Sequence, residues 1–455
     1  MKRPVLLVSA LLAVAACDTD LTVPNLNNPS AGQAATRSSV LANAQGLLAS
    51  ARTLATQGVR FHGIWGRESY DLRPQEPRPH TDNLIGPRDP LSSNAATYFT
   101  NNYTAIVNVR NVLKAVDAVD GMTDAEREAI RGWAKTVEAF AYFQLAVTHP
   151  EFGAPLDPPE SPTGELGPIG TPEQLYDRAI TLFDEAAAHL RNGGTKFPFV
   201  FTDGYAPFDT PAEFLKVNRA LKARTLKYMG RWSDVLTALD ESFVDPSAPM
   251  DLGVWHSYSL ADGTNPFYNV ATDYIHPRIR AEAQLKPDAT LDNRALRKTT
   301  VIAPVTEYGV TVTERPAMYA SADAPFPWIK NEELLLIRAE AKLATGDAPG
   351  ALADVNVVRQ ASGGLAPLAS VANDEALLDE ILYNKRYSLL WEGGFTYLDA
   401  FQYNKLDELP RLTKAELGGD FEDHVIFTRL GWPQNECLAR GMTSGPCGTI
   451  VGIKP

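Results

Sequence analysis

Three cysteines occur in the 455 residues, and their surroundings point to two different chemistries. Cys17 follows Val14-Ala15-Ala16 at the end of a short apolar run. Lys2 and Arg3 precede that run, and Pro4 to Ala16 carries no charge. A basic start, an apolar centre and small residues before a cut describe an export signal. The run is also too short to cross a membrane, which takes about 20 residues as a helix. A branched apolar residue, two small residues and then Cys form a bacterial lipobox, in which the thiol takes diacylglycerol and cleavage leaves Cys17 first in the mature chain. The sequence therefore predicts a signal peptide over 1–16 and a lipid anchor on Cys17, with an ordinary signal peptide and an incidental cysteine as the alternative. Two acyl chains on one residue suffice for stable anchoring. The other pair, Cys437 and Cys447, has nine residues between them and no histidine nearby. In an exported, oxidising compartment that spacing predicts a local disulfide rather than a metal site.

Catalytic patterns are missing. There is no GxxxxGK phosphate loop, no GxGxxG turn, no HExxH, no CxxC and no GxSxG elbow. The seven histidines, at 62, 80, 149, 189, 256, 276 and 424, stand singly. The expectation is a chain with no catalytic residues, no metal and no cofactor. Paired carboxylates remain open as a glycosidase reading, because sequence spacing says little about separation in space. Lys and Arg number 42 against 55 Asp and Glu, a formal charge of −13, and losing Lys2 and Arg3 takes this to −15. A surface so acidic repels phosphates, so nucleic acid is not an expected partner. With 44% apolar and 21% charged residues, composition is that of a globular protein.

The elements that would carry a site read as helices. Asp18, Thr19, Asp20, Pro24, Asn25, Asn27, Asn28 and Pro29 are polar or break structure, so 17–30 is expected to be a flexible tether and 31–455 the folded body. Thr123-x-x-Glu126, Thr171-Pro172-x-Gln174 and Thr210-Pro211-x-Glu213 have the form of capping boxes. Behind them apolar residues recur at helical spacing, as in Ile130, Trp133, Val137, Phe140, Ala141 and Leu145. Ala223–Gly230–Leu236–Leu239 and Ala339–Gly346–Leu352–Val355 repeat one pattern of helix, glycine turn and helix. That pattern resembles a tetratricopeptide-type hairpin. The fold expected is mainly α: a tetratricopeptide-like helical hairpin scaffold with long irregular insertions at 58–100, 244–328 and 405–455. A few short strands are expected, including 299–304 and 308–314. Long irregular segments in a rigid scaffold are where binding surfaces belong.

In order along the chain, these landmarks resemble the SusD/RagB family of outer-membrane nutrient-binding lipoproteins. The lipobox Cys17 comes first, then a helix from Trp133 to Leu145 followed by Phe152-Gly153-Ala154-Pro155-Leu156. Next come Asn331 to Ala341 closed by Gly346, then Asn356 with Arg359. The most specific piece is Ile381 to Asp399, with Lys385-Arg386, Leu389 and Glu392-Gly393. Trp432-Pro433-Gln434-Asn435-Glu436 matches the family's terminal motif, with Gly431 where its first proline usually stands. Arg359, Arg386, Glu392 and Asp399 read as scaffold, forming buried ion pairs that fix helix order.

The resemblance implies a lipoprotein at the cell surface, anchored in the outer membrane. It would act as the lid and capture subunit of a SusC-like TonB-dependent barrel, in nutrient uptake. The implied ligand is an oligosaccharide or another nutrient. Sugars need flat aromatic faces and polar side chains, and two loop clusters offer both. One holds Phe61, His62, Trp65, Arg67, Tyr70, Asp71 and Arg73; the other holds Trp255, His256, Tyr258, Asn265, Tyr268, Asp273 and Tyr274. The expected ligand contacts are Trp65, Tyr70, Arg73, Trp255 and Tyr258, while Trp133, Trp232, Trp328 and Trp391 are expected on helices. A competing reading makes the hairpins a surface for another protein in envelope assembly.

Overall fold

The computed structural model describes residues 35–88, 93–159 and 164–455. The signal peptide, Cys17 and the tether expected at 17–30 lie outside the described residues.

The chain opens with α1 (Arg37–Thr56), α2 (Gly58–Trp65), β1 (Ser69–Asp71) and a single turn, α3 (Arg78–His80). Two long helices follow, α4 (Ser93–Ala118) and α5 (Asp124–Thr148), then β2 (Ala154–Pro155), β3 (Ile169–Gly170) and α6 (Pro172–Arg191). The first of the repeated hairpins is α7 (Pro211–Tyr228) with α8 (Trp232–Asp240). Between the hairpins come β4 (Gly253–His256), β5 (Asp273–Ile275), α9 (Arg278–Ala281), α10 (Asn293–Lys298), β6 (Thr299–Glu307), β7 (Val310–Pro316) and β8 (Phe326–Lys330). The second hairpin is α11 (Asn331–Ala344) with α12 (Ala348–Val358), followed by α13 (Asp374–Ser388), α14 (Phe395–Gln402) and α15 (Gln434–Arg440). The fold is mainly α, as the helical period predicts.

Caps form where the Thr-x-x-Glu/Gln pattern places them. Thr123 with Glu126 and Thr171 with Gln174 bond reciprocally, satisfying two free helix donors at each start. The third box is half made. Thr210 accepts from the Glu213 N–H, but the Glu213 carboxylate turns to Lys216 one helical turn on. Both hairpins reverse at a glycine of positive φ, Gly230 at 69° and Gly346 at 90°, where a side chain would be strained. Helices α4 to α8 pack each on the next, α8 packs on α11, and α11 supports α12 and α13. Trp133 sits at the heart of this stack. Its indole N–H donates to the Ala44 carbonyl of α1 at 2.8 Å, and its ring meets Phe201, Phe214 and Trp328 edge-on.

All strand pairs are antiparallel and two-stranded: β1 with β5, β2 with β3, β4 with β8 and β6 with β7. The β6–β7 hairpin turns on Tyr308-Gly309, both at positive φ, the geometry that matches strand twist. Three expectations need correction. Residues 58–100 are not wholly irregular, since they contain α2 and the start of α4. Trp328 lies on β8, because Phe326–Lys330 is fully buried on both faces and pairs with β4. Trp391 lies past the end of α13 at φ 62° rather than within a helix.

Buried charges tie the later helices together, as the scaffold reading of Asp399, Glu392 and Arg359 expects. Asp399 of α14 takes ion pairs from Lys227 of α7 and from Lys385 of α13 at 2.8 Å, and Glu340 of α11 joins the same two ammoniums at 3.3 and 2.9 Å. Glu392 accepts from Lys298 and Lys330, each at 2.7 Å, and Arg359 pairs with Glu380. Arg386 is different, since its partner Glu282 is exposed.

Cys437 and Cys447 are bridged, with Cα atoms 5.7 Å apart, closing the C-terminal loop onto α15. A loop this short contributes about 2–3 kcal/mol by limiting the unfolded chain. Reduction should lower the denaturant midpoint correspondingly. An unchanged midpoint with a phosphine reductant would show that the clip contributes nothing.

Candidate functional site

One helical face continues from α1 through Gln57 into α2. Thr53, Thr56, Gln57, Arg60, Phe61 and Ile64 recur at steps of one, three or four, so they share a side of the helix. They form one wall of a cavity of about 380 Å³. Thr97, Tyr98 and Asn101 of α4 form the facing wall. The segment after β1 supplies Asp71, Arg73, Glu76 and Arg78, and Pro266 and Phe267 close one end. Phe61, Tyr98 and Phe267 are otherwise buried.

Three arginines of this cavity are each held by one carboxylate. Arg60 donates from Nε and Nη2 to Asp273 at 3.0 and 2.7 Å, and Nη2 also reaches the Pro266 carbonyl at 3.0 Å. Its guanidinium lies 5.2 Å from the centre of the Phe267 ring. Arg73 donates from Nε and Nη2 to Asp71 at 2.8 and 2.7 Å. Arg78 does the same to Glu76, with Nε at 2.7 Å. Asp71 and Asp273 face each other across the β1–β5 ladder, where like charges repel. Two arginines of opposite approach, one from α2 and one from the loop after β1, neutralise that pair. Burial still pushes the Asp273 carboxyl above its ordinary range, against the pull of Arg60. Glu76 is half-buried, and the Arg78 hydrogen bond draws it down to about 2. The Asp71 hydrogen bond raises Arg73, and the Glu76 hydrogen bond raises Arg78.

Of the five contacts expected from sequence, only Arg73 lines this cavity. Trp65 is 1% exposed, its ring packed on Phe61, Tyr397 and Phe427 with the Arg88 guanidinium against it. It belongs to the core because the last turn of α2 is covered by α14 and by Phe427. Tyr70 is 2% exposed, held in β1 with its ring 4.8 Å from His276. Tyr258 is buried beneath Arg52, 4.8 Å away. Trp255 is half-buried on β4, and its indole N–H donates to Asp251 outside the cavity. Gln57, Arg60, Glu76, Arg78, Tyr98 and Asn101 were legible only as helix or loop polar residues. The signal that marks the first two is the polar stripe from Thr53 to Ile64.

The other face of α4 borders a second cavity of about 420 Å³, more apolar, with Phe99, Tyr103 and Val107 against Pro155, Pro158 and Pro433. Among the described residues there is no group of three or more metal-ligating side chains, and no helix long and apolar enough to cross a membrane.

No protein-family model matches the chain, and no curated protein sequence matches it either. Solved structures do. The chain aligns with surface glycan-binding protein A from Bacteroides uniformis at TM-score 0.62 and 16% identity, covering 90% of this chain and 99% of that one. A SusD superfamily protein from Bacteroides fragilis aligns at TM-score 0.60 and 18% identity over 81% of this chain and 90% of its own. A SusD-like carbohydrate-binding protein from Bacteroides vulgatus gives 0.59 and 17%, over 80% and 83%. The chain has the SusD fold. Its sequence landmarks fall on structural joints of that fold. The Asn331–Ala341 stretch is α11, and Ile381 to Asp399 forms α13, the turn after it and the start of α14. Trp432 of the terminal motif donates its indole N–H to Gly153, in the turn after α5, at 3.0 Å.

Proposed function

We propose that this protein is a non-catalytic, cell-surface glycan-capture lipoprotein, anchored in the outer membrane through Cys17. It serves as the lid of a SusC-like TonB-dependent barrel. The observation that supports this reading most is the pairing of a SusD fold with a polar cavity of about 380 Å³ whose arginines are fixed in advance by carboxylates. Sites of a few hundred Å³ with a few oriented polar groups hold small ligands, and planar guanidiniums locked in place lose little entropy on binding. Phe61, Tyr98 and Phe267 supply apolar contact for sugar C–H groups. The barrel supplies the passage, and the lipid keeps the lid from being lost.

Arg60→Ala and Arg73→Ala should each weaken glycan binding by about tenfold or more, equivalent to about 1.4 kcal/mol. Trp255→Ala should leave it unchanged, since Trp255 lies off the cavity. Calorimetry on a retained oligosaccharide checks this, and the reverse pattern would move the site to β4. Cys17→Ala should release the protein from membranes into the soluble fraction. Persistence of the variant in washed outer membranes would contradict the anchor.

A further inference from the structure

The three cavity arginines share a detail that bears on what kind of sugar fits. Each commits Nε and Nη2 to its carboxylate, and in each Nη1 has no hydrogen-bond partner among the described residues. Nη1 carries two N–H groups in the guanidinium plane, and the fork fixes that plane. Three arginines of one cavity therefore each keep a free Nη1 with both its N–H groups, most open to water on Arg78. Their charge, however, is already used. Arg60, Arg73 and Arg78 are matched by Asp273, Asp71 and Glu76.

Resting on the glycan-capture reading, we propose that this cavity selects uncharged oligosaccharides and rejects acidic ones. A hydroxyl both accepts and donates, so it can take an Nη1 hydrogen bond and return one to a carboxylate lone pair beside it. Neighbouring hydroxyls on a sugar ring suit adjacent guanidinium and carboxylate groups. A uronate or sulfate only accepts. It would stand close to the carboxylates that hold the forks, and gaining an arginine outright would mean breaking a fork. Asp71 and Asp273 are buried at 4% and 2% exposure, so either would be left as an unpaired charge away from water. Specificity of this kind comes from the penalty on the wrong ligand as much as from contacts to the right one.

Affinity gel electrophoresis of the purified protein separates the outcomes. The neutral gels contain amylopectin, dextran, galactomannan, xyloglucan or inulin; the acidic gels contain polygalacturonate, alginate or chondroitin sulfate. The expected result is retardation in at least one neutral gel and in no acidic gel, unchanged at about 0.5 M salt, where exposed charge attraction is screened. Arg73→Lys should cut the retardation severalfold, because lysine lacks the fork and Nη1. Retardation by an acidic polymer as strong as or stronger than by any neutral one overturns this inference and leaves glycan capture standing. Retardation by none of the polymers overturns both.

Discussion

Asp399→Ala should lower the unfolding free energy by about 3–5 kcal/mol, the range seen when one partner of a buried ion pair is removed. Asp399 is 4% exposed and shares its Oδ1 with Lys227 and Lys385, while Tyr228 donates to the same oxygen at 3.2 Å. Glu340 lies on the other side of both ammoniums and takes a further bond from Tyr403 at 2.9 Å. The two lysines and two acids balance. Burial alone would push Asp399 up, but Lys227 and Lys385 together hold it below the ordinary carboxylate range. Removing it leaves two buried cations for one carboxylate, at the joint of α7, α11, α13 and α14. Denaturant titration should show a lower midpoint with an unchanged slope. A loss under about 1 kcal/mol would place the stability of this joint in its apolar contacts instead.

Mild acid should have the other large effect. His62, His80, His149, His256, His276 and His424 are all buried. Burial lowers His62, His256 and His424 to about 3, His80 and His149 to about 4, and His276 well below its usual value. Several of their ring nitrogens have no hydrogen-bond partner among the described residues, including both of His424, a state the neutral ring tolerates better than the cation does. The unfolded chain binds protons on these rings below about pH 6.5, and the folded chain does not. Stability from these groups is therefore full above that pH and falls as pH drops toward 4. Each ring contributes up to about 1.4 kcal/mol per pH unit. Glu68, Glu138, Asp273 and Glu314 are raised by burial and act in the opposite sense. The histidines outnumber them, so the protein should be less stable by several kcal/mol at pH 5 than at pH 7.5. Equal denaturant midpoints at the two pH values would show that the rings are hydrated or protonated in the folded state.

Helices announced themselves in this sequence because their signals are local. Thr123, Thr171 and Thr210 sit one residue before an apolar period of 3.6, and Gly230 and Gly346 end what they end by φ alone. The β6–β7 hairpin was readable for the same reason, through alternating β-branched residues around Tyr308-Gly309. The disulfide followed from nine intervening residues in a chain whose start reads as an export signal. The site was harder. Trp65 and Tyr70 drew attention as aromatics outside an obvious period, but Gly58, Gly63 and Gly66 had masked the helix that buries Trp65. Tyr70 is held by a strand pair whose partner, β5, lies some two hundred residues away in sequence. Arg60 finds Asp273 across that same distance, so no spacing rule could have joined them. The polar residues Thr53, Gln57 and Arg60 recur at helical spacing from α1 into α2, which is the local signal this site leaves in the sequence.

The most direct test of the account is a structure of the protein with a retained oligosaccharide. The sugar should lie between the α1–α2 face and α4, with its hydroxyls against Nη1 of Arg60 and Arg73 and a ring face on Phe267. Sugar bound instead at Trp255, or on the opposite side of α4 beside Pro433, would contradict it.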